Sequence, residues 1–129
     1  MLAVDTNFIV RYVTRDDPRQ AARARRIVDE NDTFVTTTVL LETEWVLRRG
    51  YGYSSAAILG ALRSFSGLPR VSLQEPARAF EALERLKNGM DFADALHLAG
   101  AGECEAFVSF DRSLVRTAAS VSKLRLRVP

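Results

Sequence analysis

Short apolar runs alternate with longer helical segments along the whole of this chain, and that alternation leaves few folds open. Leu2-Ala3-Val4 reads as a buried strand, and Thr33 to Thr36, Arg70 to Leu73 and Ala106 to Ser109 read as three more. Leu124 to Val128 alternates apolar and basic residues, as a half-exposed edge strand does. Between these runs lie helix signals. Thr6-Asn7 offers a helix start, and Asp16-Asp17-Pro18 is a stop and restart before a polar helix from Arg19 to Glu30. Val39 to Arg49 is a helix closed by Gly50, and Ser54-Ser55 caps another over Ala56 to Phe65. Glu75-Pro76 opens a helix to Lys87, Asp91 caps one that runs to Gly102, and Ser113 leads a last one to Ala119. Strands alternating with helical segments along the whole chain predict an α/β fold. The expectation is a single domain over residues 1–129, with a central parallel sheet of four to five short strands in the order 3-2-1-4-5 between helices.

A length of 129 residues supports one domain, and about two thirds of its unfolded surface is expected to be buried, so no disulfide or metal staple is needed. No run of 18 or more apolar residues exists, which excludes a transmembrane helix. The start, Met-Leu-Ala-Val-Asp, lacks a basic region and a long apolar region, so no secretory signal is expected. The single cysteine, Cys104, suits a reducing, cytoplasmic setting. Net charge is only +2, yet 16 of the 18 basic residues are Arg. Arg grips phosphate bidentately and stacks on bases, so this surface is compatible with nucleic acid, although a GC-rich genome gives the same bias. The C-terminal segment is more telling: Arg112, Arg116, Lys123, Arg125 and Arg127 follow Asp111 with no further acid.

The acids carry the chemistry. Asp5 directly follows the first strand and Asp111 lies two residues after the fourth. In a doubly wound sheet, ligands bind beyond the carboxyl ends of the strands, where strand order reverses. With the order 3-2-1-4-5 the two aspartates would flank one crevice. Asp91 and Asp94 lie three apart, about 60° on the helix wheel, at the rim of an apolar face of Phe92, Ala95, Leu96 and Ala99. Asp91 also reads as a plain N-cap, and Asp94 as a first-turn acid that favours the helix dipole. Glu42 and Glu44 share a largely apolar helix, and periodicity does not separate them. Glu44 has Arg48 four residues on, whereas Glu42 has only Trp45 and Val46 at those spacings.

Carboxylates gathered in one crevice repel by roughly 3 kcal/mol per pair at about 5 Å. A divalent cation relieves that repulsion. Hard oxygen donors without a Cys/His set suit Mg²⁺ or Mn²⁺, not Zn²⁺. His97 is the one histidine and could be a ligand, but a surface or core-edge role is expected of it. No phosphate-binding glycine loop or dinucleotide motif is present.

Four blocks in order, Val4-Asp5-Thr6-Asn7, Glu42-x-x-Trp45-Val46-Leu47-Arg48, Phe92-Ala93-Asp94-Ala95-Leu96-His97-Leu98-Ala99 and Ser109-Phe110-Asp111-Arg112, resemble the PIN domain. Within it they resemble the VapC toxins of bacterial type II toxin–antitoxin pairs. The resemblance spans essentially the whole chain. It implies a metal-dependent endoribonuclease whose acidic tetrad is Asp5, Glu42, Asp94 and Asp111, which selects Glu42 over Glu44. Asn7 and Ser109 match polar supporting positions, Ser109 where the family commonly has Thr, and Asp91 matches an auxiliary acid. It also implies a homodimer and a cognate antitoxin whose C-terminal segment covers the active site.

The expected function is therefore a Mg²⁺- or Mn²⁺-dependent ribonuclease toxin. Asp5, Asp94 and Asp111 would hold the ion, and Glu42 would bind it or orient the attacking water. Arg112 would hold the RNA backbone. A rival reading is a DNA-bound regulator that acts with its antitoxin, its nuclease activity incidental. A receiver-like phosphoacceptor fits less well, since Lys123 is poorly placed and Glu42 has no role in one.

Overall fold

The computed structural model describes every residue, Met1 to Pro129. The chain forms two compact units, Met1–Pro76 and Ala77–Pro129. In the first, strands β1 (Leu2–Ala3), β2 (Thr33–Val35) and β3 (Val71–Leu73) lie parallel in the order β1-β2-β3. Leu2 pairs with Thr33, and Thr33 with Val71. The middle strand supplies the buried residues Thr33 and Val35. Helices α1 (Thr6–Thr14), α2 (Pro18–Glu30), α3 (Thr37–Arg49) and α4 (Ser55–Ser66) complete this unit. α1 packs on α2, α3 and α4, and its Ile9 and Val10 are each 1% exposed. The expected stripe of α2, Ala21, Ala24 and Val28, is buried, and its arginines face outward.

Local sequence sets the helix ends. Asp17 accepts from the Gln20 N–H at 3.1 Å, with Pro18 in the first helical position. Thr36 and Ser54 cap α3 and α4 in the same way, at 3.4 and 3.1 Å.

Helices α5 (Pro76–Lys87) and α6 (Phe92–Gly100) are followed by β4 (Ala106–Val108), α7 (Arg112–Ala119) and β5 (Arg125–Arg127). β4 and β5 form a parallel pair, and α7 packs on β5. β5 buries only Leu126 in part, between two exposed arginines, as an edge strand should. Buried Ala82, Leu83, Leu86, Phe92, Ala95 and Leu98 belong to this unit. Leu98, not Leu96, lies on the buried face of α6. After α5 the chain turns at Gly89, whose φ of +95° other residues avoid. Arg85 is 6% exposed; its Nη2 donates to Glu81 at 2.5 Å, while its Nη1 has no partner.

Two expectations are corrected. The parallel strands make a three-stranded and a two-stranded sheet, not one sheet in the order 3-2-1-4-5. The segments 3-2-1 and 4-5 are as expected, but no ladder joins β1 to β4. β1 is too short for a second neighbour. The N–H groups of Leu2 and Val4 both point to β2, at 2.8 and 3.2 Å, which leaves only Ala3 between them to face the other way. β1 is also not buried. Leu2 is 42% exposed, because an edge strand of two residues has little of the sheet to cover it.

Candidate active site

The loop between β1 and α1 carries Asp5, and α3 carries Glu42. Asp5 is the N-cap of α1, and its Oδ1 accepts from the Phe8 N–H at 3.0 Å. Its other oxygen has no hydrogen bond, and the side chain is exposed. A cavity of about 320 Å³ is lined by Asp5, Thr6, Asn7, Val39, Glu42 and Val46, so Asp5 and Glu42 face the same space. Buried Thr6 donates its hydroxyl to Glu42 Oε1 at 2.5 Å. Glu42 thus has a partner that helical spacing within α3 does not supply, since the donor comes from α1. Asn7 is exposed and lines the same cavity.

Glu44 does the opposite of Glu42. It is buried at 6% exposure and accepts from Arg48 Nε at 2.8 Å. The pair seen in the sequence is real, but it lies on the inner rather than an outer face of α3. Glu42 and Trp45, the latter 58% exposed, take the outer face. Glu44→Gln is therefore expected to destabilise the protein by about 1 kcal/mol, because a charge-assisted bond becomes a neutral one in a dry place. Glu42→Gln, which keeps an acceptor for Thr6 in an exposed position, should cost under about 0.5 kcal/mol. Urea denaturation of both variants checks the difference. Equal losses would contradict the division of roles.

The second unit holds the other acids. Asp91 caps α6 by accepting from the Asp94 N–H at 3.0 Å, as the sequence predicts. Asp111 caps α7 by accepting from the Leu114 N–H at 3.0 Å, and its own N–H donates to Ser109 Oγ at 3.0 Å. Ser109 thus fixes the turn that presents Asp111. Asp94 differs from both. It is half-buried, caps nothing, and neither of its carboxylate oxygens has a hydrogen-bond partner. Burial raises its pKa above the ordinary 3.8, the charges of Asp91 and Asp111 raise it further, and His97 opposes them. His97 is exposed, as expected. Arg112, Arg116, Lys123, Arg125 and Arg127 are all exposed, and none is paired with an acid.

No three His, Cys, Asp or Glu side chains are gathered closely enough to hold a metal ion. The chemistry of the donors nevertheless fits a hard divalent cation. Asp94 is a carboxylate without a donor, pressed by two like charges, and a cation is the group that would satisfy it.

Two features escape sequence reading. Thr6 lies in the Val4-Asp5-Thr6-Asn7 segment, but its bond to Glu42 joins residues 36 apart. Arg11 is held by Gln20 at 2.8 Å, by both Asp16 oxygens at 3.1 Å and by the Tyr51 hydroxyl at 3.0 Å. That hydroxyl, which donates to Asp16 at 2.6 Å, is also the main reason the Asp16 carboxyl lies below its ordinary value. Nothing in the local pattern announces Tyr51 as a partner of either residue.

No helix is long and apolar enough to cross a membrane. No curated protein matches the chain at a significant level. The PIN domain family matches residues 2–120, a span that contains all the acids described above. PIN domains are generally nucleases that use divalent metal ions, which agrees with the hard-oxygen character of Asp94 and its neighbours, and on that match the chain belongs to the PIN domain family.

Proposed function

We propose that this protein is a Mg²⁺- or Mn²⁺-dependent endoribonuclease and the toxin of a type II toxin–antitoxin pair, acting in the cytoplasm as one domain. The carrying observation is Asp94, a half-buried carboxylate with like charges beside it and no donor to satisfy it. Asp5, Glu42, Asp94 and Asp111 are the functional carboxylates in this reading, with Asn7, Ser109 and Asp91 in support. A divalent cation, when bound, neutralises phosphate charge and makes water more acidic. Asp94 and Asp111 would hold it, and Asp5 would offer the oxygen its cap leaves free. Glu42, steadied by the Thr6 hydroxyl, would accept a proton from the attacking water. Water would then add to phosphorus in line with the leaving 3′-oxygen, which takes a proton from solvent water, departs as a 3′-hydroxyl and leaves a 5′-phosphate. Arg112, next to Asp111, would contact the RNA backbone. The resemblance to VapC toxins supports a homodimer and a cognate antitoxin whose C-terminal segment covers the active site.

The test is direct. Purified protein with total RNA in Mg²⁺ should give fragments that a 5′-phosphate-dependent exonuclease digests, and EDTA should stop their formation. Intact RNA in Mg²⁺, or cleavage that persists in EDTA, would overturn the reading.

A further inference from the structure

A second cavity, of about 290 Å³, shares Asp5 and Asn7 with the one that holds Glu42, and it opens between α1 and α2. We propose that it seats the RNA nucleotide adjacent to the one being cut, and that Arg23 is the positioning residue that grips its phosphate; the proposal rests on the ribonuclease reading above.

The walls divide by chemistry. Phe8, Ala24 and Ile27 give an apolar side against which a base or ribose can lie. Arg11, Gln20 and Arg23 give a polar side. The two guanidinium groups are not equivalent. Arg11 spends Nε on Gln20 and Nη1 on Asp16 and Tyr51, so its charge is already balanced and its geometry fixed. Arg23 is exposed and has neither a hydrogen bond nor an ion pair, although Asp5 lines the same cavity. Its neighbours on α2 are occupied: Arg26 pairs with Glu30 at 3.0 Å, and Arg25 lies 5.2 Å over the Tyr12 ring. Among these, Arg23 alone brings an uncompensated cation to a concave surface that reaches Asp5.

An uncompensated guanidinium beside an apolar wall suits an anion that carries an apolar body, which describes a nucleotide better than a free inorganic ion. The shared wall of Asp5 and Asn7 supplies the link to the cleavage site. One strand crossing that wall would place successive nucleotides in the two cavities. Gln20, its Oε1 held by Arg11, is left with its amide N–H groups to meet a base edge.

The experiment uses a fluorescent single-stranded oligoribonucleotide of mixed sequence and the full chain carrying Asp94→Asn, so that the probe is not cut. Arg23→Gln in that background should weaken binding about tenfold, the size of one lost charge-assisted contact. It should also flatten the slope of log affinity against log salt by about 0.7, the value for one phosphate on a single strand. Arg23→Lys should recover part of the affinity. Arg26→Gln removes the same charge from the same helix and should change affinity less than twofold. Thermal melting should not distinguish Arg23→Gln from its parent, since the side chain has no partner to lose. Equal affinities for Arg23→Gln and Arg26→Gln, or equal salt slopes for Arg23→Gln and its parent, would overturn the assignment. If wild-type protein still cleaves total RNA in that case, only this inference fails; if wild type leaves RNA intact, the nuclease reading fails with it.

Discussion

Asp94→Asn is expected to abolish RNA cleavage while leaving the fold in place. The side chain caps no helix and makes no hydrogen bond, so the isosteric change removes a charge and little else. Loss of an outer partner of a metal ligand already costs about 10–100-fold, so loss of a ligand should lower the rate at least about 100-fold. Circular dichroism should be unchanged. Glu44→Gln is the useful control, since it touches Arg48 inside α3 and should cut RNA at the wild-type rate at temperatures where it stays folded. Wild-type cleavage by Asp94→Asn would remove Asp94 from the site.

Millimolar Mg²⁺ or Mn²⁺ should raise the melting temperature on the order of 10 °C, and NaCl of matched ionic strength should not. A ligand that binds only the folded state at a hundredfold excess over Kd contributes about 2.7 kcal/mol, which gives a shift of this size in a chain of this length. Without metal the order reverses, and Asp94→Asn should melt above wild type. The reason is the raised pKa of Asp94, caused first by burial, then by Asp91 and Asp111. An acid whose folded pKa is raised favours the folded state only while it carries its proton. That contribution is complete below 3.8, the ordinary value, and is lost as pH rises through the raised one. Asparagine does not titrate, so the gap in favour of the variant should open across that window and persist at neutral pH. Thermal scans of both proteins at several pH values, with and without metal, separate these effects. Equal responses of both proteins to Mg²⁺ and to Na⁺ would exclude a metal site built on Asp94.

Much of this was legible in the residues because the signals are local. Asp17-Pro18, Ser54 and Asp91 announce helix starts, since a cap bonds an N–H three residues on and needs nothing distant. The alternation of strand and helix likewise gives the α/β class and the partial orders 3-2-1 and 4-5. What failed depends on pairing or depth. Apolar character suggests that Leu2-Ala3 is buried, but an edge position decides otherwise. Wheel geometry on α3 places Glu44 near Arg48, yet it does not say which side of the helix faces inward, because both faces carry apolar residues. The bond from Thr6 to Glu42 joins two helices and has no signature within either.

Three of the acids, Asp5, Asp91 and Asp111, hold a helix by its first turn with one oxygen. Asparagine performs that service about as well as aspartate. In the genetic code the two residues are separated by a single purine transition at the first codon position. Under the proposed function, a population under pressure to silence this protein would therefore not need to destroy it. One single-base escape then runs through full-length, folded chains that lack only one of these charges and keep the shape of the active form.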